Sequence, residues 1–188
     1  PVIAVDRASN EVRIRTAEQT LSFDQVIFAC HADQALKLLT EPTQMERRTL
    51  GAFRYSKNTM VLHKDDQVMP TQKSNWASWQ VRVAPSKNSE ELANHPTYSF
   101  TYWMNKLQNL KTKTPILATL NPNCEIDPRK ILVTRHYEHP QFDITAFNAQ
   151  LQWKTVNGFN RTYFCGAYWG WGFHEDGVRS AHRVAHLI

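Results

Sequence analysis

Several features that would place a protein in a special class are missing from this sequence of 188 residues. No segment approaches the roughly 20 apolar residues of a membrane span and no secretory leader opens the chain, so we predict no transmembrane segment. The three cysteines have no CxxC spacing and lie in or beside apolar runs, which predicts free thiols in a reducing, cytoplasmic compartment. The 22 Lys and Arg and the 17 Asp and Glu are scattered, which argues against a nucleic-acid partner.

Glycine is also scarce, and its placement is uneven. Four of the six glycines lie between residues 166 and 177, where some feature requires bare backbone. The chain has no initiating methionine and begins with Pro1 inside a predicted strand, so we expect a removed leader or a piece of a longer protein. The hydrophobic content of 41% is enough for a substantial core, which excludes a disordered tail or a disulfide-stapled miniature.

Apolar patterns near the N-terminus predict strands followed by helices. The predicted strands lie at 2–5, 12–15 and 23–30. The segment 23–30 is a nearly continuous apolar run, which is typical of a strand buried on both faces of a parallel sheet. Asp33 is predicted to cap a helix over 34–39, and Thr43 with Glu46 forms the capping-box pattern of a second helix.

The middle of the chain is rich in predicted strands. They lie at 59–63, 75–83, 97–104, 116–120 and 131–137, with a turn signal at 85–89. Apolar residues alternate in two of these strands, and Trp79, Val81, Tyr98, Phe100 and Tyr102 are therefore predicted to face the core.

The C-terminal part returns to helices with one more strand. A helix is predicted over 143–156, with Ile144, Phe147 and Leu151 on one apolar stripe. A strand over 161–166 and a helix from about residue 176 follow. The complete pattern predicts an α+β fold with a mixed, largely antiparallel sheet flanked by helices.

The segment 163–180 contains the most specific motif. A buried strand ends at Gly166, a loop of glycines and aromatics follows, and Asp176 opens a helix. Exposed N–H groups at a helix start attract anions and carbonyl oxygens, and glycines let a planar ligand approach the backbone. A purely structural loop with Asp176 as the N-cap is the alternative.

The motif resembles the C-terminal FAD-binding signature of the flavin-containing amine oxidase superfamily, which includes monoamine oxidases and carotenoid-type desaturases. The sequence CGAYWGWGFHEDG at 165–177 is most similar to a bacterial branch of predicted NAD/FAD-binding oxidoreductases. Further stretches fit that branch, namely FDQVIFACHADQA at 23–35, LGAFRY at 50–55, WASW at 76–79, YWMN at 102–105 and YEHP at 137–140.

The resemblance implies an oxidoreductase that transfers a hydride from a small apolar or amine substrate to FAD. It implies a substrate-binding domain at 31–156 and pieces of an FAD-binding domain at 1–30 and 157–188. The implied FAD-binding positions are Val2 at the adenine, Ala29 in the nucleotide cleft, Gly166 at the pyrophosphate, Gly172 in the glycine loop, Phe173 and His174 beside the flavin, and Glu175, Asp176 and Gly177 at the helix start.

One part of the family pattern is missing. The sequence has no Gly-x-Gly-x-x-Gly segment after a strand, which is the segment that holds the ADP half of FAD. We therefore expect a C-terminal fragment whose N-terminal FAD-binding segment lies outside the sequence and which binds FAD poorly alone. Two smaller departures are Ala167, where relatives carry a polar side chain, and Ser180-Ala181, where the usual pair is Ser-Gly.

Other functions are less well supported by the sequence. The pairs His136 with His139 and His182 with His186 lack a third ligand, so we predict no metal site. Trp76 and Trp103 lie off the alternating faces and are therefore predicted to line a substrate pocket. No catalytic base is identified, and a stand-alone binding domain without redox activity is the alternative function.

Overall fold

The structure is a computed structural model that describes residues 1–83 and 98–188. The predicted α+β class is confirmed, because the strands pair mainly antiparallel and helices flank them. The strands are β1 (Val2–Arg7), β2 (Val12–Thr16), β3 (Thr20–Phe23), β4 (Val26–Phe28), β5 (Arg54–His63), β6 (Trp79–Val83), β7 (Tyr98–Trp103), β8 (Leu117–Leu120), β9 (Ile131–Gln141) and β10 (Thr162–Phe164). The turn predicted at 85–89 lies outside the described residues.

The α-helices are short, and in the described residues none is long and apolar enough to cross a membrane. They are α1 (Ala32–Leu38), α2 (Gln44–Leu50), α3 (Met104–Leu107), α4 (Ile144–Gln150), α5 (Trp153–Val156) and α6 (His174–Ala185). The described residues form two compact units, one of Pro1–Ser56 with His139–Ile188 and one of Lys57–Glu138. The first unit contains residues 31–56 and 139–156 in addition to the predicted pieces 1–30 and 157–188. These residues include helices α1, α2, α4 and α5, which contribute to the same hydrophobic core.

The first unit contains two small sheets. Strands β1, β2 and β3 form an antiparallel sheet, and β4 pairs in parallel with β10. The single strand predicted over 23–30 is therefore wrong, since it divides into β3 and β4, which belong to different sheets. Ile27 of β4 is 48% exposed, so the prediction of burial on both faces is wrong as well.

Two helix starts test the predicted caps. Thr43 and Glu46 form the predicted capping box at α2, with the Thr43 hydroxyl accepting from the Glu46 N–H and the Glu46 carboxylate from the Thr43 N–H. The capping role of Asp33 is wrong, because His31 occupies the N-cap of α1 and Asp33 binds Lys37 one turn further on.

The predicted helix over 143–156 is interrupted, and two of the three residues of its apolar stripe face outward. The third, Phe147, is half-buried, with its ring centroid 5.3 Å from that of Trp171. Helix α4 ends before Leu151, and α5 follows. Ile144 and Leu151 are 73% and 80% exposed, whereas Ala146 and Ala149 are buried. The small alanines form the face that packs into the first core, which the periodicity of the larger residues did not indicate.

The second unit contains a sheet with the strand order β6-β7-β8-β5-β9. Its pairing register puts ten apolar residues on one side, here called the apolar sheet face. They are Met60, Leu62, Trp79, Val81, Val83, Tyr98, Phe100, Tyr102, Ala118 and Leu120, and each is half-buried or exposed.

The opposite side of this sheet is the buried one. It carries Ser99, Thr101, Thr119 and His63, together with the apolar residues that build the core of the unit. The prediction that Trp79, Val81, Tyr98, Phe100 and Tyr102 face the core is therefore wrong. Alternation identifies two faces of a strand, but it does not identify which face is covered.

A buried hydrogen-bonded chain occupies the covered face. The Nδ1 of His63 accepts from the backbone N–H of Asp65 at 3.1 Å, so the proton lies on Nε2 and is donated to the Thr119 hydroxyl at 2.8 Å. The Thr119 hydroxyl contacts that of Thr101 at 2.9 Å. Burial lowers the pKa of His63, although the nearby Asp65 carboxylate acts in the opposite direction.

We expect the folded chain to lose stability in mild acid because of His63. The unfolded chain binds a proton at this residue with a pKa of about 6.5, whereas the folded chain resists protonation, so the unfolding free energy falls as pH falls below about 6.5. Urea denaturation between pH 7.5 and 5.5 measures this slope. The variant His63→Gln should be less stable at pH 7.5 by about 1–3 kcal/mol but should have the shallower slope. Equal slopes would contradict the assignment.

Candidate functional site

The C-terminal motif lies at the edge where two parallel strands end. Ala29 directly follows β4, whereas Cys165 directly follows β10 and Gly166 comes next. The Cys165 N–H donates to the Phe28 carbonyl at 2.9 Å. The chain then turns through a short 3-10 helix (Ala167–Trp169) and enters α6. Carboxyl ends of parallel strands and helix N-termini are the usual position of nucleotide cofactors in such sheets.

Asp176 organises the loop of this motif. Its side chain is buried, and its Oδ2 accepts from the backbone N–H groups of Trp171 at 3.0 Å and Phe173 at 3.1 Å. Its Oδ1 accepts from Arg179 at 3.2 Å. Asp176 is therefore the third residue of α6 reaching back over the loop, not the N-cap, which is Phe173.

Two glycines of the loop are required by the chain itself. A Cβ on Gly170 would lie 2.4 Å from Oδ1 of Asp176, so a side chain there would displace the carboxylate. Gly172 has a φ of +88°, which favours glycine, and its added Cβ would lie 3.1 Å from the Phe142 ring. The loop conformation thus explains both residues without a ligand.

Ser180 has a structural role that the sequence did not reveal. Its buried hydroxyl accepts from the Gly166 N–H at 2.8 Å and donates to the Gly177 carbonyl at 2.7 Å. It therefore ties Gly166, the second residue after β10, to the first turn of α6. The departure from the family pattern at Ser180-Ala181 leaves this connection intact, because the hydroxyl is retained.

The first turn of α6 remains open. Phe173 is 71% exposed, and His174 and Glu175 are exposed as well. The N–H groups of His174 and Glu175 stand at the first two helical positions, where an α-helix offers no carbonyl partner. A Cβ on Gly177 would meet only Ala167, at the ordinary distance of 3.8 Å, so the chain itself does not require glycine there.

The remaining predicted cofactor residue lies in another sheet. Val2 begins β1 and is 41% exposed, whereas Ala29 is an exposed residue at the end of β4. The fold therefore brings Ala29, Gly166 and the start of α6 to one region, while Val2 belongs to the antiparallel sheet. The contacts of Val2 and Ala29 with FAD stay predictions.

Polar atoms without partners lie near the ends of the parallel strands. The His31 ring stacks on Tyr55 with a centroid distance of 4.4 Å, and its Nδ1 is buried without a hydrogen bond. The Tyr168 hydroxyl is also buried without a hydrogen bond, and burial together with the nearby Tyr55 raises its pKa. Burial raises the pKa of the Cys30 and Cys165 thiols too, so neither is an activated nucleophile.

Trp76 and Trp103 lie in the second unit and pack edge to face, with ring centroids 5.2 Å apart. Trp76 is 8% exposed and belongs to the core, with its Nε1 donating to the Pro70 carbonyl at 2.7 Å. The Nε1 of Trp103 is buried without a partner. Their role in a substrate pocket stays a prediction. Within residues 1–83 and 98–188, no three His, Cys, Asp or Glu side chains could hold a metal ion.

Comparison with solved structures identifies the fold. The chain is similar to a CLA-producing fatty acid isomerase from P. acnes, with 13% identity, a TM-score of 0.63 and coverage of 98% of this chain and 46% of that one. It is similar to cyclohexylamine oxidase from Brevibacterium oxydans IH-35A, with 11% identity, a TM-score of 0.55 and coverage of 100% and 47%.

A wild-type putrescine oxidase bound to putrescine shows 11% identity, a TM-score of 0.60 and coverage of 99% and 47%. Two of these three proteins are amine oxidases, so the fold that the resemblance implies is confirmed. The chain spans slightly less than half the length of each. Neither a protein-family model nor a curated protein sequence matches it.

Adding a methyl group at two neighbouring glycines should have opposite effects. Gly170→Ala forces the Asp176 carboxylate away from the loop, so we expect the unfolding free energy to fall by about 2–3 kcal/mol. Gly177→Ala enters an open position in a helix and should raise it by about 0.5–1 kcal/mol. Urea denaturation of both variants measures the difference. An equal loss at both positions would show that the space beside Gly177 is already filled.

Proposed function

We propose that this chain is the C-terminal part of an FAD-dependent oxidoreductase of the amine oxidase type. In the complete protein, a small apolar or amine substrate gives a hydride to the flavin. The observation that carries the proposal is the start of α6, beside the ends of two parallel strands. The N–H groups of His174 and Glu175 have no carbonyl partner within the helix, and no contact of the chain requires glycine at position 177. The shared fold with two amine oxidases supports it.

The residues at this edge suit a flavin nucleotide. The N–H groups of His174 and Glu175 would face carbonyl oxygens of the isoalloxazine, and the exposed Phe173 ring would lie beside it. The backbone of Gly166 would lie beside the pyrophosphate, and glycine is also required there by the chain itself, because an added Cβ would lie 2.5 Å from the Tyr168 ring. When FAD is bound it supplies the hydride acceptor, and the protein holds and orients the ring and the substrate.

The ADP half of FAD would need a further nucleotide-binding segment. The sequence has no Gly-x-Gly-x-x-Gly segment after a strand, and the chain spans only 46–47% of the structures that it resembles. Ile27 on the two-stranded parallel sheet and the outward Ile144 and Leu151 are large apolar residues left exposed. Their exposure supports the proposal that such a segment packs against this part of the first unit.

Flavin occupancy of the complete protein tests the role of Gly177. Because the open space beside Gly177 would be shared with the ring, Gly177→Val should reduce the flavin absorbance per protein at least tenfold. The control His182→Ala changes an exposed residue further along α6 and should retain the flavin. Full flavin occupancy in the Gly177→Val protein would show that the motif does not contact the flavin.

The 188-residue chain purified alone should be colourless, because it lacks the segment that holds the pyrophosphate. Equilibrium dialysis with FAD should detect at most weak binding, and the complete protein should bind it tightly. A yellow preparation of the chain alone would contradict the need for that segment. A colourless complete protein would favour the stand-alone binding domain.

A further inference from the structure

A short loop of the second unit combines positive charge with exposed leucines. The end of α3 and the chain that follows it, residues 106–114, are here called the lysine loop, and every residue of this loop is exposed. Its three lysines and two leucines are Lys106, Leu107, Leu110, Lys111 and Lys113. Leu107 is 44% exposed and Leu110 is 37% exposed. Large apolar residues beside lysines, both open to solvent, are typical of segments that lie at a membrane interface.

The charge of the lysine loop is not balanced by acidic residues. No Asp or Glu occurs between Tyr98 and Cys124, the stretch that contains all three lysines. Lys111 donates to the Asn109 side chain at 3.3 Å. Within residues 1–83 and 98–188, none of the three lysines forms an ion pair with a carboxylate. The loop therefore presents uncompensated positive charge, which attracts an anionic partner.

The lysine loop is held in one shape by Asn105. The Asn105 side-chain amide donates to the carbonyls of Thr112 at 3.1 Å and Thr114 at 2.9 Å. The Asn105 side-chain oxygen accepts from the Ile116 N–H at 2.7 Å. The Met104 N–H donates to the Ile116 carbonyl at 2.9 Å, which closes the base of the loop. Because the backbone is already ordered, little backbone entropy is lost when the lysines and leucines bind a partner.

The size and composition of the loop favour a lipid surface over a protein partner. A stable protein interface uses about 20–30 residues from each side, which is more than the lysine loop offers. A bilayer requires no matching surface, because anionic head groups neutralise the lysines while the leucines enter the apolar boundary below them. Further polypeptide over the loop would bury the ammonium groups, which is costly unless carboxylates accompany them.

We propose that the lysine loop docks the complete protein reversibly onto an anionic lipid bilayer. Its lysines contact the head groups, and Leu107 and Leu110 enter the interface. Each lysine near such a surface strengthens binding about fivefold, so the loop gives a weak, salt-sensitive attachment and not a permanent anchor. This docking is a property of the second unit and does not depend on flavin binding.

Sedimentation with vesicles measures the attachment of the complete protein and of the 188-residue chain. Both should bind vesicles of phosphatidylcholine mixed with phosphatidylserine, less strongly at raised salt, and should bind phosphatidylcholine alone only weakly. Lys111→Gln combined with Lys113→Gln should weaken binding about 25-fold, which is about fivefold for each charge. The control Arg47→Gln with Lys154→Gln removes the same charge from exposed residues of the first unit and should change binding less than about twofold.

The leucines distinguish insertion into lipid from attraction between charges. Leu107→Ser with Leu110→Ser retains every charge and should weaken vesicle binding at least threefold. Lys113→Gln alone serves if the double lysine variant fails to fold, with an expected loss of about fivefold. Circular dichroism checks that each variant is folded.

Three results would overturn the proposal. The first is vesicle binding that is absent, or that the lysine or leucine variants leave unchanged. The second is binding by the 188-residue chain that the complete protein lacks, which would show that further polypeptide covers the loop. The third is a polyglutamate peptide that binds as tightly as the vesicles and does not require the leucines, which would indicate an acidic protein partner.

Discussion

The carboxylate of Asp176 is the interaction on which the C-terminal motif depends. It is buried, accepts two backbone N–H groups of the preceding loop and contacts Arg179. A carboxylate engaged on both oxygens has little capacity left for a cofactor, so its role is to fix the loop. Gly170 makes this contact possible, and the consequence is that the first turn of α6 stays open beside the ends of two parallel strands.

In the sheet of the second unit, several polar residues lie on the covered face and many apolar residues lie on the exposed face. A chain of hydrogen bonds from His63 through Thr119 to Thr101 satisfies the polar groups of the covered face. Burial of that face therefore costs little free energy, because each of these polar groups exchanges its hydrogen bonds to water for hydrogen bonds within the protein. The covered face also carries core residues such as Val61 and Leu117, and the residues of the apolar sheet face are half-buried or exposed.

Local signals in the sequence were sufficient for part of the fold. The capping box of Thr43 and Glu46 is predicted from residues that are neighbours in the chain, and the structure contains it. Parallel pairing is present at β4, although the double-sided burial from which it is predicted is not. The orientation of the middle sheet was not, because alternation at Trp79 and Val81 is equally compatible with either face being buried. The motif was found, but the positioning role of Ser180 depends on a partner 14 residues away, which no local pattern specifies.

Some residues of the chain are unfavourable for the structure that surrounds them, and these positions are informative about function. A glycine inside a helix, such as Gly177, lowers stability, and an exposed large apolar residue, such as Ile27, lowers solubility. Gly170 and Gly172 do not belong to this group, since contacts of the loop explain them. Because sequences keep such violations mainly where function requires them, Gly177 supports the proposed cofactor site at the start of α6.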